Sequence, residues 1–230
     1  MNSKNKPDDI SQKTSIEQAS LSVINVSHSY GGSLVLKQLS LDLMPKEALA
    51  VVGPNGVGKT TLLRIVSGAL KPNDGQVYIF GFDVAKNRVY TNSLFGYVSD
   101  SPFFYQRLTG SEHIRLWASI YKGSEKTVIE VLEFLEFDSS FLDQLVTQYS
   151  QGTKKKLSIA LAFCHDPKLL ILDEPFSFLD SSAQKKAIQL CQNYITKGGS
   201  LIFVTHDNSE VEAVASSVVR LKNGYLEGLA

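Results

Sequence analysis

The sequence holds only two cysteines, Cys164 and Cys191, in 230 residues. Both stand in helix-like segments without metal-ligand spacing, which argues against a disulfide scaffold and fits buried thiols in a reducing cytosol. Net charge is missing too. Lys+Arg and Asp+Glu are equal at 23 each, so no overall basic field points to nucleic acid as a partner. No apolar run approaches the roughly 18 residues needed to cross a bilayer. The N-terminus lacks the apolar core of a signal peptide. Together these absences set the expectation of a soluble, cytosolic protein. What is present is a globular share of hydrophobic residues, 43%, in a chain long enough for one well-buried α/β unit with a subdomain.

The most informative stretch runs from Val51 to Thr61. An apolar run, Ala48 to Val52, enters it as a buried strand would, and Leu62-Leu63-Arg64-Ile65-Val66 leaves it as a helix would. Between them lies the pattern G-x-x-x-x-G-K-T, a phosphate-binding loop in its expected strand-to-helix setting. Glycines at 53, 56 and 58 let backbone N–H groups turn inward around a phosphate where side chains would obstruct them. The helix opening near Lys59 adds the positive end of its dipole. The nucleotide-binding set is therefore Gly53, Pro54, Asn55, Gly56, Val57, Gly58, Lys59, Thr60 and Thr61. Lys59 is expected to reach the β- and γ-phosphates of a nucleoside triphosphate, and the Thr60 hydroxyl to ligate Mg²⁺.

Residues 1–20 are polar and without an apolar period, and read as a flexible tail ahead of a single domain spanning 21–228. Leu21, Val23, Ile24 and Val26 are strand-like. Val35-Leu36 and the alternation Leu39, Leu41, Leu43 predict two further short strands. Lys71 to Gly75 is a turn, followed by strands at 76–80 and 94–98. The section from about 101 to 165 reads as helical, with Ile114, Trp117 and Tyr121 on one face and Val128, Val131, Leu132 and Leu135 on another. Leu169 to Asp173 and Leu201 to Val204 are uninterrupted apolar runs of the kind found in buried parallel strands. Between them a helix is predicted over 181–196, and a short helix and a hairpin around Asn223-Gly224 follow. With no internal repeats and one phosphate loop, the chain carries one nucleotide-binding unit.

A phosphate loop alone does not separate kinases, GTPases and transport ATPases. Leu169-Leu170-Ile171-Leu172-Asp173-Glu174-Pro175 narrows the choice by setting two carboxylates at the end of a buried strand. Asp173 suits Mg²⁺ through its water shell, and Glu174 suits proton acceptance from an attacking water. Upstream, Tyr149-Ser150-Gln151-Gly152-Thr153 precedes Lys154-Lys155-Lys156. Taken alone, this is an N-cap followed by a solvated lysine run. Taken in order with the other motifs, it carries more.

In that order the chain resembles the nucleotide-binding subunits of ATP-binding cassette (ABC) transporters, from Leu21 to Glu227. Gly53 to Thr60 matches the Walker A motif and Leu169 to Asp173 the Walker B motif, with Glu174 as the catalytic glutamate. Tyr149 to Thr153 matches the signature motif, Ser177-Phe178-Leu179-Asp180 the D-loop, His206 the switch histidine, and Tyr30 the aromatic that stacks on adenine. The resemblance implies an α/β P-loop fold: a core like that of recombination ATPases, an antiparallel β subdomain and a helical subdomain over about 101–165. It also implies that two cassettes, identical copies or sister subunits, sandwich ATP head to tail. Ser150 and Gly152 of one would then face the phosphates held by the other. ATP and Mg²⁺ are the implied ligands and an integral membrane permease the implied partner, which places the chain peripherally on the cytoplasmic face.

Two departures stand out. Where the family usually has glutamine, Gly96-Tyr97-Val98-Ser99 leads to Asp100, a shorter, charged side chain that could approach Mg²⁺. In the signature, Gln151 and Thr153 replace the usual glycine and glutamine. Asp100 with the residues after it, Ser101 to Tyr105 and Leu108-Thr109-Gly110, resembles a bacterial exporter-type subgroup. A soluble ABC ATPase acting on ribosomes or DNA is the competing class, but this chain has one cassette, no heptad array and no net charge. His28, His113 and His165 form no ligand set and read as structural.

Overall fold

In a computed structural model the described residues are 16 and 18–228. The strands are β1 (Leu21–Tyr30), β2 (Ser33–Leu43), β3 (Ala48–Val52), β4 (Asp74–Ile79), β5 (Phe82–Asp83), β6 (Phe95–Val98), β7 (Leu169–Asp173), β8 (Ser200–Val204), β9 (Ser217–Lys222) and β10 (Tyr225–Gly228). The helices are α1 (Lys59–Val66), α2 (Arg88–Asn92), α3 (Gly110–Tyr121), α4 (Glu125–Phe134), α5 (Gln151–Ala162), α6 (Ser181–Thr196) and α7 (Asn208–Val214).

The strands form a six-stranded sheet in the order β10-β9-β3-β8-β7-β6 and a four-stranded sheet in the order β2-β1-β4-β5. In the larger sheet β9, β3, β8, β7 and β6 run parallel and β10 closes one edge antiparallel. Its centre is apolar on both faces, so β7 and β8 are buried at every residue, as a covered parallel sheet requires. Alternation sends Ala48, Ala50, Leu170, Leu172, Leu201 and Phe203 to a core shared with the helices. It sends Leu49, Val51, Leu169, Ile171, Ile202 and Val204 to a second core, shared with α1 and the antiparallel sheet. Two cores on one sheet carry the strand ends at Val52, Asp173 and Val204 to the same edge.

The P-loop α/β core, the antiparallel sheet and the helical stretch between β6 and β7 are all present. Ile114, Val128, Val131, Leu132 and Leu135 are buried, Trp117 packs against the same core, and Tyr121 stacks on His165 at 4.7 Å between ring centroids. Both cysteines are free and buried.

Three local expectations need correction. The two short strands predicted after Gly32 are one strand, β2, paired antiparallel to β1 with register shifts. The chain passes these bulges unbroken because Gln38 and Asn25 take positive φ. The Ser27 and Ser40 hydroxyls accept from their N–H groups, each at 2.9 Å, as bulged strands need. The small elements α2 and β5, between the strands predicted at 76–80 and 94–98, had no sequence signal. The predicted tail, 1–20, lies mostly outside the described residues, but Ala19 and Ser20 are buried. The Ser20 N–H donates to the Leu43 carbonyl and its hydroxyl meets that of Ser200, each at 2.8 Å.

His113 fixes the loop that precedes α3. The Tyr105 N–H donates to its Nε2 at 3.0 Å, and its Nδ1 lies 2.8 Å from the Thr109 carbonyl. That pairing defines the neutral tautomer with the proton on Nδ1. Burial pushes the imidazole below its usual 6.5, and a second proton on Nε2 would displace the Tyr105 N–H. Below about pH 6.5 the unfolded chain thus binds more protons here than the folded one. The contribution of His113 is intact above that pH and is lost as pH falls. The melting temperature is expected to drop more between about pH 7 and 5.5 in the parent than in His113→Gln, whose amide takes no proton; groups elsewhere titrate alike in both. Equal drops by calorimetry would remove this role from His113.

Candidate functional site

The loop from β3 to α1 is shaped by positions where a side chain cannot fit. A Cβ on Gly53 would lie 2.4 Å from the Leu221 carbonyl oxygen. Gly58 caps α1 at φ +114 and a Cβ there would meet Val35 and Leu36 at 2.8 and 2.9 Å. Side chains of β2 and the backbone of β9 thus press on the loop at the start of α1, whose first N–H groups have no side-chain cap. Such a terminus attracts an anion. Lys59 is buried, and its ammonium donates to the carbonyls of Gly53 at 2.7 Å and Pro54 at 3.1 Å. It bridges the loop at the place a phosphate would occupy.

Opposite stand the acids. Asp173, the last residue of β7, is 1% exposed, and neither carboxylate oxygen has a hydrogen-bond partner. Burial pushes its pKa up; Thr60, beside it but outside hydrogen-bond geometry, tempers the rise, as do Lys155 and Arg64. A buried, unpartnered carboxylate next to a threonine hydroxyl fits a divalent cation. No group of three or more His, Cys, Asp or Glu among the described residues could hold an ion unaided, so phosphate oxygens would have to complete the shell. Glu174 lies at φ +46, a strained backbone for a non-glycine residue. Its N–H donates to Val204 O at 3.0 Å and its carbonyl accepts from the Ser177 hydroxyl at 2.8 Å. Its Oε2 sits 3.1 Å from His206 Nδ1. Burial raises its pKa, and the His206 contact opposes the rise.

These groups line one cleft of about 630 Å³. It gathers Tyr30, Asn55, Gly56, Gly58, Lys59, Thr60, Thr61, Asp100, Asp173, Glu174 and His206. Tyr30 is half exposed at the end of β1, in a T-shaped contact with His28 at 4.7 Å between ring centroids. Gly53, Pro54 and Val57 shape the loop without lining the cleft. Ser150 and Gly152 are not brought to it. Ser150 caps α5, its hydroxyl accepting from Thr153 N–H at 3.1 Å, and a Cβ on Gly152 would lie 2.7 Å from the Phe178 carbonyl oxygen. A slightly larger cleft of about 660 Å³ shares no lining residue with this one and is walled by groups such as Phe134, Phe163 and Tyr194.

Sequence reasoning missed three residues here. Ser177 and Phe178 line the cleft, although they were read only as part of a loop motif. Lys155 stands in a run that reads as solvated lysines, yet it is 0% exposed. Its ammonium donates to the carbonyls of Ser99 at 3.1 Å and of Asp100 and Glu174 at 2.9 Å each, and burial lowers its pKa to about 8. The signal was available: on a helix, 155 shares a face with Ile159 and Ala162, both buried.

The cleft can thus seat a polyanion on one wall and bring a carboxylate to a water at the other, which makes this a P-loop nucleoside triphosphatase. The ABC transporter family profile matches residues 36–177. The "Uncharacterized ABC transporter ATP-binding protein YdbJ" of Bacillus subtilis is 35% identical over 90% of this chain and 68% of its own length. The "Probable sulfate/thiosulfate import ATP-binding protein CysA" of Chlorella vulgaris is 30% identical over 89% of this chain and 88% of its own. A solved dimeric cassette in a post-hydrolysis state with ADP and Pi superposes with a TM-score of 0.83 at 26% identity, covering 91% of this chain and 99% of the other. The chain belongs to the ABC transporter family, as an ATP-binding cassette with ATPase activity.

Lys59→Ala removes the one ammonium that lines this cleft among the described residues. Turnover of ATP is expected to fall by about a hundredfold or more, with an unchanged far-UV circular dichroism spectrum. Wild-type phosphate release in a folded Lys59→Ala protein would place the reaction elsewhere.

Proposed function

We propose that this cassette is the energising subunit of a transporter. ATP draws two cassettes together head to tail, and hydrolysis releases them and drives a separate membrane-spanning permease. Gly53 to Thr61 hold the triphosphate and Tyr30 stacks on the base. Glu174 accepts a proton from water as the water oxygen bonds to the γ-phosphorus. The bond from that phosphorus to the bridging oxygen breaks, leaving ADP and inorganic phosphate. His206 orients Glu174 and faces the γ-phosphate. Thr60 and Asp173, with Asp100 beside them, would hold Mg²⁺, which would offset charge on the phosphate oxygens.

The observation that carries this reading is the separation of the two half-sites. Lys59, Asp173, Glu174 and His206 share a cleft that Ser150 and Gly152 do not line, while those two residues open a helix N-terminus of their own. A second cassette, as in the dimeric solved relative, would supply that missing wall. No helix among the described residues is long and apolar enough to cross a membrane; in this reading the pathway lies in a separate permease, with this subunit docked on its cytoplasmic side. The zero net charge argues against a nucleic-acid partner. The direction we infer is export, from Asp100 and the residues that follow it; the import-named relative argues the other way.

Glu174→Gln is expected to bind ATP, lose turnover by more than about a hundredfold, and accumulate an ATP-dependent dimer seen by light scattering. Unimpaired hydrolysis in that variant would refute Glu174 as the base. The tagged chain should also co-purify from solubilised membranes with a polytopic membrane protein; recovery only with ribosomes or DNA would overturn the transport reading. Substrate flux in inverted vesicles sets the direction.

A further inference from the structure

The Lys155 ammonium ties three elements together at the active edge of the sheet. Its side chain rises from α5, the helix that Ser150 caps, and is fully buried. Its three donors meet the carbonyls of Ser99 and Asp100, just past β6, and of Glu174, just past β7. A lysine ammonium has three protons to donate, and here each has a backbone oxygen. The acids facing it are Asp100, Asp173 and Glu174, from the ends of β6 and β7.

The bond to Glu174 is the informative one. Glu174 stands at φ +46, a conformation that persists only where surroundings hold it. Its carbonyl is held by Ser177 from its own loop and by Lys155 from a helix of another subdomain. The direction of that carbonyl fixes the peptide plane next to the Glu174 Cα, and so where its carboxylate points.

We propose that Lys155 is a positioning residue for Glu174: it clamps the backbone at Asp100 and Glu174 to the signature helix, so that the orientation of the helical subdomain sets the aim of the base. The lysine acts through Glu174 and touches no substrate. Losing it leaves the phosphate loop intact and misdirects the carboxylate.

The inference rests on Glu174 as the base, and Glu174→Gln is run alongside. In Lys155→Met, which keeps the bulk and drops the charge, kcat is expected to fall about ten- to a hundredfold, the scale of an ångström-sized misplacement. The KM for ATP should stay within about twofold of the parent, since ground-state binding is untouched. The ATP-bound dimer should accumulate as it does in Glu174→Gln. Lys155→Gln, with a shorter arm and two donors, should fall between the two in kcat. Parental kcat in Lys155→Met, beside a trapped Glu174→Gln dimer, overturns the clamp alone. So does loss of the dimer together with a raised KM and a lowered melting temperature, the pattern of a purely structural lysine. If Lys155→Met does not fold, Lys155→Gln decides: reduced kcat at parental KM supports the clamp, and failure of both to fold overturns it. A Glu174→Gln protein that turns over freely sinks the underlying reading instead.

Discussion

Asp173 keeps both carboxylate oxygens buried without a partner, and a charge so placed is tolerable only with counter-charge close by. Much of the active edge answers that constraint. Lys155 and Arg64 bear on it from within the chain, and the Thr60 hydroxyl stands beside it. Glu174, one residue further along, shares the desolvation and takes an opposing contact from His206. The site is therefore poised with acids raised and cations pinned, the arrangement in which an arriving cation and polyanion find charges already paired to theirs. What makes the arrangement rigid is the doubly covered sheet, since β7 and β8 admit no water along their length.

Much of this was legible in the sequence because it is local. Residues 53–61 form a contiguous loop and helix start whose glycine and lysine pattern reads without reference to distant residues. The runs at 169–173 and 201–204 announce burial on two faces through composition alone. The bounds of α6 fell at Ser181 and Thr196 as read, because Asp180 accepts from the N–H groups of Ser182 and Ala183 and glycines follow the end. Even the order of the motifs pointed to a common edge.

The unread part is tertiary. A strand that bulges twice looks like two strands when each half is read for period, and only the hydroxyls of Ser27 and Ser40, offered across the pair, show that it continues. Ser20 looks like tail because its partner at Ser200 is distant in sequence. Lys155 looks solvated because its two neighbours are lysines, and a charge triplet masks the one member that turns inward. Its acceptors are three backbone carbonyls, and main-chain groups carry no sequence signature.

The Phe178 carbonyl oxygen stands where a Cβ on Gly152 would have to go. Phe178 lines the cleft of its own cassette, while its backbone leaves no room for a side chain at the head of the signature helix. In the proposed head-to-tail pair that helix would serve the other nucleotide. One short loop would then border both compartments, and a shift imposed by one nucleotide would be felt at the wall of the other. Two sites joined this way would not fire as independent engines, and their strokes would be correlated by a steric fit.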